Sequence, residues 1–598
     1  MLKPKPMVKV RITGLKSGMK QAIEALYDLK LMHIVDHSRH SDDFFDIGNT
    51  FEEGSMISGQ LVKASSMISF FKAKGQAKNA PNFAQARARF ERLFSGFSKT
   101  GQRLVELTAK ESELKQQLSD PMGKIKIDKK YLEGYENIVV FKGTVKKPVR
   151  QALEEDGIEF EMIDKKAGPV YAVVVFVPKK FGQKARAVLS NAGFSESQIP
   201  EDYSEKELSE KLEAVTKEIA GLKDFLEKSG QENSSFLLDY EFTLKQLNEK
   251  AETPLRFGVS ENSFFAVGWV PEEKAGQLSE KLSGKQNGTV FVEFSQSKKG
   301  APIALDNPVP VKPFEFFLEL YTLPKYTEID PSILMAFTFP LFFGFMLGDV
   351  GYGLVTLLLF WFLRGKTKGI ANSLSGVLIW ASLASIVFGF VFGEFFGYEF
   401  LEHPLLNRVH EPTLMLGIAV LVGFLHLNLG LVLGFYNELK SHGLKHAFLA
   451  KISWMVLEAG LALLAADALG FLQVGVLPGA IVSLAAVVML YLGEGAKGIV
   501  ELPSLFSNML SYSRLFAVGL SSVSIALVVN EMAGSMLEGG GIIGIIIAVI
   551  ILVLGHVLNI ALGLLGPSLH SIRLHYVEFF SKFFHGGGTK YSPFGTGE

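Results

Sequence analysis

Arg514 stands inside the apolar run FSNMLSYSRLFAVGLSSVSIALVV. An arginine at the centre of a membrane helix costs about 2.5 to 3.5 kcal/mol on insertion scales, so its presence needs a cause. Guanidinium keeps its proton, which makes Arg514 a fixed positive charge and not a proton carrier. Ser507, Ser511 and Ser521 are spaced three or seven residues from it, which puts small polar groups on the same helical face. The competing account is an arginine that snorkels or pairs structurally. A longer stripe follows in the next apolar run, where His556, Asn559, Gly563, Gly566, His570 and Arg573 succeed one another at spacings of three and four. Such a face suits a water path or close packing. Arg573 and His570 have a second explanation, since cationic residues collect at the cytoplasmic ends of spans.

Glu394, His426, Glu458, Asp467 and Glu494 also fall in or near apolar runs, and Glu501 and Glu578 join them as supporting candidates. They line aqueous vestibules or sit at headgroup depth; both readings stand at this stage. The paired glycines Gly344 and Gly348, or Gly389 and Gly393, fit helix packing better than ligand loops.

Other chemistries are poorly supported. The chain has no cysteine, which excludes disulfides, thiolate metal sites and cysteine nucleophiles. Gly365, Lys366 and Thr367 resemble the end of a phosphate-binding loop, but Phe360 occupies the place of its first glycine. A net charge of −1, with opposite charges mixed along the chain, points to no nucleic acid partner. No cofactor, metal or catalytic constellation is expected.

The elements that must hold these residues divide into two halves. After a proline-rich junction from Pro302 to Pro331, expected to be extended and irregular, eight spans are read: Ser332 to Leu347, Gly351 to Leu363, Leu374 to Phe396, Leu414 to Tyr436, Phe448 to Leu469, Leu477 to Leu492, Leu505 to Glu531 and Ile542 to Ile572. Arg364, Lys366, Lys368, Lys440, Lys445, Lys451, Lys497, Lys582 and Lys590 mark one side, and the loops Glu399 to Glu411 and Glu531 to Glu538 are acidic or neutral. The first half carries no signal-peptide core, so it and the C-terminus are expected in the cytoplasm, and the chain must turn near Gly348, Asp349 and Gly351 to cross twice before Arg364.

In the first half, Val8, Val10 and Ile12 alternate with polar residues as a strand, Gln21 to Lys30 reads as a helix and His33 to Val35 as a returning strand. Apolar rows seven residues apart run from Phe83 to Leu118 and from Leu208 to Leu247, predicting two coiled-coil helices that pair antiparallel. Between them, Ile138 to Ile199 reads βαββαβ, a ferredoxin-like lobe. Phe264 to Val270 and Thr289 to Phe294 supply strands that complete the first lobe. The fold class expected is an α+β cytoplasmic dumbbell, two α/β lobes joined by a coiled-coil hairpin, followed by eight transmembrane helices. Its boundaries are 1–300 for the soluble domain (proximal lobe 1–75 with 257–300, coiled coil 81–120 with 204–250, distal lobe 121–203), 301–331 for the linker and 332–598 for the membrane domain.

PLFFGFMLGDVGYG from Pro340, SYSRLFAVGL around Arg514 and LHSIRLHYVEFFSKFF around Arg573 resemble the a subunit, also called subunit I, of vacuolar-type and archaeal rotary ATPases. The resemblance covers essentially the whole chain. It implies a stator subunit, not itself catalytic, whose last two spans face a rotating proteolipid ring with an ion-binding carboxylate on each ring subunit. It further implies that Arg514 and Arg573 are the paired arginines facing that ring, and that the partners are the ring, peripheral-stalk subunits and, indirectly, the central stalk and catalytic subunits. Eukaryotic members have a glutamate ten residues before the second arginine and a histidine eight after the first; here those places hold Gly563 and Ser522. A stand-alone secondary transporter or channel is the alternative, but no inverted repeat supports it.

Overall fold

The computed structural model describes residues 4–38, 44–73, 75, 77–125, 127, 129–132, 134–197, 204–285, 290–471, 475–539 and 541–596. They form two compact units, Met1–Asn49 with Pro254–Glu598, and Thr50–Thr253. The first unit opens with β1 (Met7–Leu15), α1 (Met19–Leu29), β2 (His33–Val35) and β3 (Asp46–Ile47). Val10 and Ile12 are buried while Arg11 between them is exposed, the alternation that makes this segment a strand.

The second unit holds α2 (Gly54–Phe71), α3 (Phe83–Ser119), β4 (Ile138–Val145), α4 (Arg150–Glu155), β5 (Glu161–Ala167), β6 (Val170–Pro178), α5 (Gly182–Asn191), β7 (Ser195–Glu196) and α6 (Glu205–Glu252). Asn82 starts α3 by accepting from the amides of Ala84 and Gln85. Leu104, Leu107 and Leu114 of α3 pack on Leu208, Leu212, Val215, Ile219 and Leu222 of α6. The pair is antiparallel, with Arg89 bonded to Asn233 and Arg103 to Glu218. Helix α2, which the seven-residue rows did not reveal, adds Ile57, Ala64 and Met67 to Phe90 and Tyr240 at the other end. The four strands β4 to β7 form an antiparallel sheet ordered β5-β6-β4-β7. The expected end of this lobe, Ile199, lies outside the described residues, as does Thr289.

The chain returns to the first unit through β8 (Gly258–Val259), β9 (Ser263–Pro271), α7 (Ala275–Lys285) and β10 (Val290–Ser295). The resulting sheet runs β10-β1-β9-β8-β3, with β2 paired to β9. Strand β1 is therefore interior, bonded on both edges by strands that lie more than 240 residues later in the chain. The junction is less irregular than expected, because α8 (Glu315–Tyr321) folds within it and buries Phe317 and Leu318. Phe314, Phe317 and Phe339 form an aromatic group that rewards this short helix.

The helical half comprises α9 (Ser332–Leu347), α10 (Val350–Arg364), α11 (Ile370–Phe392), the small hairpin β11 (Glu394–Phe395) and β12 (Tyr398–Glu399), α12 (Pro412–His442), α13 (Leu444–Ala447), α14 (Ser453–Ala468), α15 (Val476–Glu494), α16 (Ala496–Val500), α17 (Leu502–Ser511), α18 (Ser513–Gly539) and α19 (Gly541–Arg573). Among the described residues, six helical stretches are long and apolar enough to cross a membrane. The first two of the eight expected spans fall short: α9 and α10 have 16 and 15 residues. At 1.5 Å per residue these reach about 24 and 23 Å, less than a hydrocarbon core of about 30 Å. The chain nevertheless reverses between them. A Cβ on Gly344 or Gly348 of the α9 end would meet Ala384 or Phe392 of α11, whereas on Gly353 of α10 it would meet Ile386, and on Gly376 of α11 it would approach Arg364. Helix α11 thus runs parallel to α9 and antiparallel to α10. The turn is made by Gly348, at φ 31°, and by Asp349, whose carboxylate accepts from the amides of Tyr352 and Gly397.

Beyond α19 the tail returns to the first lobe. The Tyr591 hydroxyl donates to the Leu31 carbonyl, the Phe594 amide donates to Met32 at 2.9 Å, and Lys590 pairs with Glu319 at 3.0 Å. Glu328, at the junction, accepts from the amides of His585 and Gly586.

Candidate functional site

Arg514 does not lie within one straight helix. α17 ends at Ser511 and α18 begins at Ser513, with Tyr512, still in the right-handed helical region, as a single turn residue between them. The three-residue spacing lets Ser511 reach the guanidinium, with Arg514 Nη2 3.4 Å from Ser511 Oγ, while Ser511 itself donates to the Ser507 carbonyl. Ser521 is exposed and stays apart from this contact; the buried residue beside it is Ser522. The main partner of Arg514 is Glu578, with Nη1 3.3 Å from Oε1. Glu578 is buried, 2% exposed, and Arg514 is 26% exposed, so the carboxylate holds the cation from the inner side while part of the guanidinium remains open.

Glu578 comes from a π-helical turn, Leu574–Phe579, that follows α19 directly. Wider turns of this kind shift the residues beyond them relative to a continuous α-helix, and they collect at functional sites. Here Glu578 is buried while Arg573, five residues earlier, is exposed. His570 lies within electrostatic reach of both Arg514 and Arg573. The two arginines and this histidine are thus gathered at the same end of α18 and α19.

The upper part of the stripe does something else. His556 Nδ1 lies 2.7 Å from the Tyr352 hydroxyl and Nε2 lies 3.1 Å from Asn530 Oδ1. Asn559 donates to the same Tyr352 hydroxyl and to the Ser522 carbonyl, both at 2.9 Å. Gly563 faces Leu347 and Gly566 faces Val518, so these glycines serve close packing. Around His426 a second polar group forms: its Nδ1 lies 2.7 Å from the Tyr512 hydroxyl, and its ring stacks on Phe579 with centroids 3.9 Å apart. His575, packed against His426, has Nε2 2.6 Å from Thr338 Oγ1 and Nδ1 2.7 Å from the Ser571 carbonyl.

The other candidates disperse. Glu394 is paired to the buried Arg408, which also donates to the carbonyls of Met346 at 3.1 Å and Gly348 at 3.0 Å, the open C-terminal end of α9. Glu458 accepts from Asn428 at 2.6 Å, Glu494 pairs with Lys451 at 3.4 Å, Glu501 pairs with Lys497 on the surface, and Asp467 accepts from the Gly475 amide. None of these touches Arg514. The sequence reading missed Tyr352, Asn530, Tyr512, His575 and Arg408. Tyr352 and His575 stand inside the motifs around Asp349 and Arg573, where their polar groups were a visible signal. Arg408 sits in a loop that reads as surface, and no spacing ties it to Glu394.

An α+β domain followed by apolar helices that bring arginines, histidines and buried carboxylates together defines a multi-pass membrane protein of the ion-transporting class. The chain belongs to the V-type ATPase 116kDa subunit family, whose model matches residues 66–400 and 504–596. It is 32% identical to A-type ATP synthase subunit I of Archaeoglobus fulgidus, over 100% of this chain and 99% of that one. With the protein of the same name in Methanocaldococcus jannaschii it shares 28% identity over 99% of each. A solved cytoplasmic N-terminal domain of subunit I, homolog of subunit a, of V-ATPase aligns with 48% of this chain and 100% of its own at 16% identity, with a TM-score of 0.29.

Proposed function

We propose that this chain is the stator membrane subunit of an A/V-type rotary ATPase or ATP synthase, and that Arg514 is the fixed cation past which ring carboxylates travel. The observation that carries the reading is the one-sided pairing of Arg514 with the buried Glu578, which anchors a guanidinium whose remaining N–H groups stay available. A carboxylate arriving beside such a cation is favoured in its charged form, so it gives up its proton or sodium ion there. A permanent charge at that point also blocks direct passage between two offset half-channels. Arg573, exposed on the same end of α19, is the second ring-facing cation, and His570 lies near both. The group His556, Tyr352, Asn559 and Asn530 suits the lining of one half-channel, because it offers a connected set of hydroxyl, imidazole and amide groups within apolar helices.

In this reading all eight helical segments cross the bilayer, the short α9 and α10 as a hairpin in a locally thinned membrane. The α+β domain and the C-terminus are cytoplasmic, and the soluble half is a dumbbell that holds peripheral-stalk subunits without binding nucleotide. The chain has no native cysteine, so topology is readily tested. Cysteines placed at Thr367 and Asn407 label from opposite sides of the membrane; labelling of both from one side defeats the eight-span arrangement.

The mechanism is tested by Arg514→Gln in the reconstituted complex. The complex assembles, and ATP-driven ion pumping is abolished. Arg514→Lys does not restore it, since a compact ammonium lacks the planar fork and can lose its charge. Normal pumping by assembled Arg514→Gln refutes the role.

A further inference from the structure

We propose that Glu438, His442 and His446 form a binding site for one divalent transition-metal ion, with Zn2+ the best fit, at the end of α12. This stretch lies between the two segments that the family model matches. Glu438 and His442 are four residues apart in the last turns of α12, which places them on one face. His446 is not on that helix. The chain leaves α12 at Gly443, with φ 85° and ψ 171°, a backbone shape that glycine adopts without strain, and α13 starts at once. That turn brings His446 back over the same carboxylate. His442 Nδ1 lies 2.8 Å and His446 Nδ1 3.4 Å from Glu438 Oε2, and the two imidazole centroids are 5.2 Å apart. All three ligand atoms fall within 4.8 Å of one another.

Two imidazole nitrogens and one carboxylate oxygen are a ligand set that zinc takes in open tetrahedral sites, leaving a fourth place for water. Ligand atoms about 2 Å from the ion sit about 3.3 Å apart on a tetrahedron. The separations seen here need to change by only tenths of an ångström for the two contacts to Glu438, and the ion replaces those contacts. Mg2+ and Ca2+ are poor fits because they require oxygen shells. The histidine side chains are 62% and 45% exposed, so an ion can enter from solvent and exchange. Its effect is to staple α12 to α13 across Gly443 and so restrain the π-helical stretch Phe448–Ile452 that follows.

The test uses the full chain in detergent, with Co2+ as a spectroscopic probe and Zn2+ as competitor. One Co2+ binds per chain with the intense visible absorption of a tetrahedral site, Zn2+ displaces it, and Mg2+ and Ca2+ do not. His446→Gln is the decisive variant, because it leaves the Glu438 and His442 helical pair intact and removes only the ligand brought in by the turn. It weakens Co2+ and Zn2+ binding by more than the roughly tenfold that lesser changes around a metal ligand cost, without changing the metal-free melting temperature. His442→Gln does the same. Unchanged binding in His446→Gln, or only the weak absorption of an octahedral ion in the unaltered chain, overturns the proposal; a hydrogen-bonded cluster without metal affinity is then the role of these residues.

Discussion

Two arginine–glutamate pairs in the helical half solve different problems. Arg408 is 1% exposed and its partner Glu394 4%; its guanidinium bonds that carboxylate through Nε and Nη2, donates to the carbonyls of Met346 and Gly348 and lies over the Phe392 ring at 4.5 Å. All three nitrogens of that fork have a partner, and the positive charge closes the C-terminal end of α9. Arg514 has one carboxylate contact and one hydroxyl contact, and a quarter of its side chain is open. A fully buried cation with a partner at each nitrogen stabilises the fold but is out of reach of a passing ligand. A cation anchored on one side and open on the other remains within reach. The same pair of residue types is therefore a brace in one place and a candidate working group in the other.

The largest expected effect separates them. Arg408→Ala leaves a buried carboxylate and two buried carbonyls without their partner, a change that costs about 3 to 5 kcal/mol. Thermal unfolding in detergent should show a large loss of stability or no folded protein. Stability within about 1 kcal/mol of the parent would show that Arg408 is no brace.

Glu578→Gln should behave differently. It removes a buried negative charge whose second oxygen has no hydrogen-bond partner among the described residues, while the amide oxygen that replaces it can still accept from Arg514. Unfolding should shift by no more than about 1 kcal/mol, with pumping in the reconstituted complex clearly reduced. A stability loss as large as that of Arg408→Ala would make the Arg514 pair structural too.

The tail seam supplies a mostly uncharged contrast. Tyr591→Phe removes one donor to the Leu31 carbonyl, worth about 1 kcal/mol. The seam is also sensitive to pH through His33, whose Nδ1 lies 3.0 Å from the Ser592 carbonyl. Burial holds His33 below its ordinary value. The unfolded residue therefore takes up a proton first as pH falls below about 6.5, and the seam's contribution is complete above that point and lost as pH falls through the folded value. Protection against hydrogen exchange across residues 585–596, taken relative to the intrinsic exchange rate at each pH, should be weaker near pH 5 than near about pH 7.5, and His33→Gln should flatten the difference. No dependence on pH in the parent chain would remove His33 from the seam.

Much of this architecture was legible because it is periodic. Rows of apolar residues seven apart in Phe83–Ser119 and Glu205–Glu252, alternation in Met7–Leu15 and the long apolar runs each repeat a local geometry, so composition along a short window identifies them. Arg514 and Arg573 were conspicuous for a related reason, as charges where the surroundings are apolar. The sequence by itself determined the two halves, most helices, the βαββαβ order of the second lobe and the residues most costly to bury, but not β3 or β8 of the first lobe. Tertiary structure alone decided which of those residues meet. The pairings of Glu394 with Arg408 and of Arg514 with Glu578 join residues 14 and 64 positions apart. Periodicity carries no information about such contacts, because a side chain's partner is set by how helices cross and not by the spacing within any one of them.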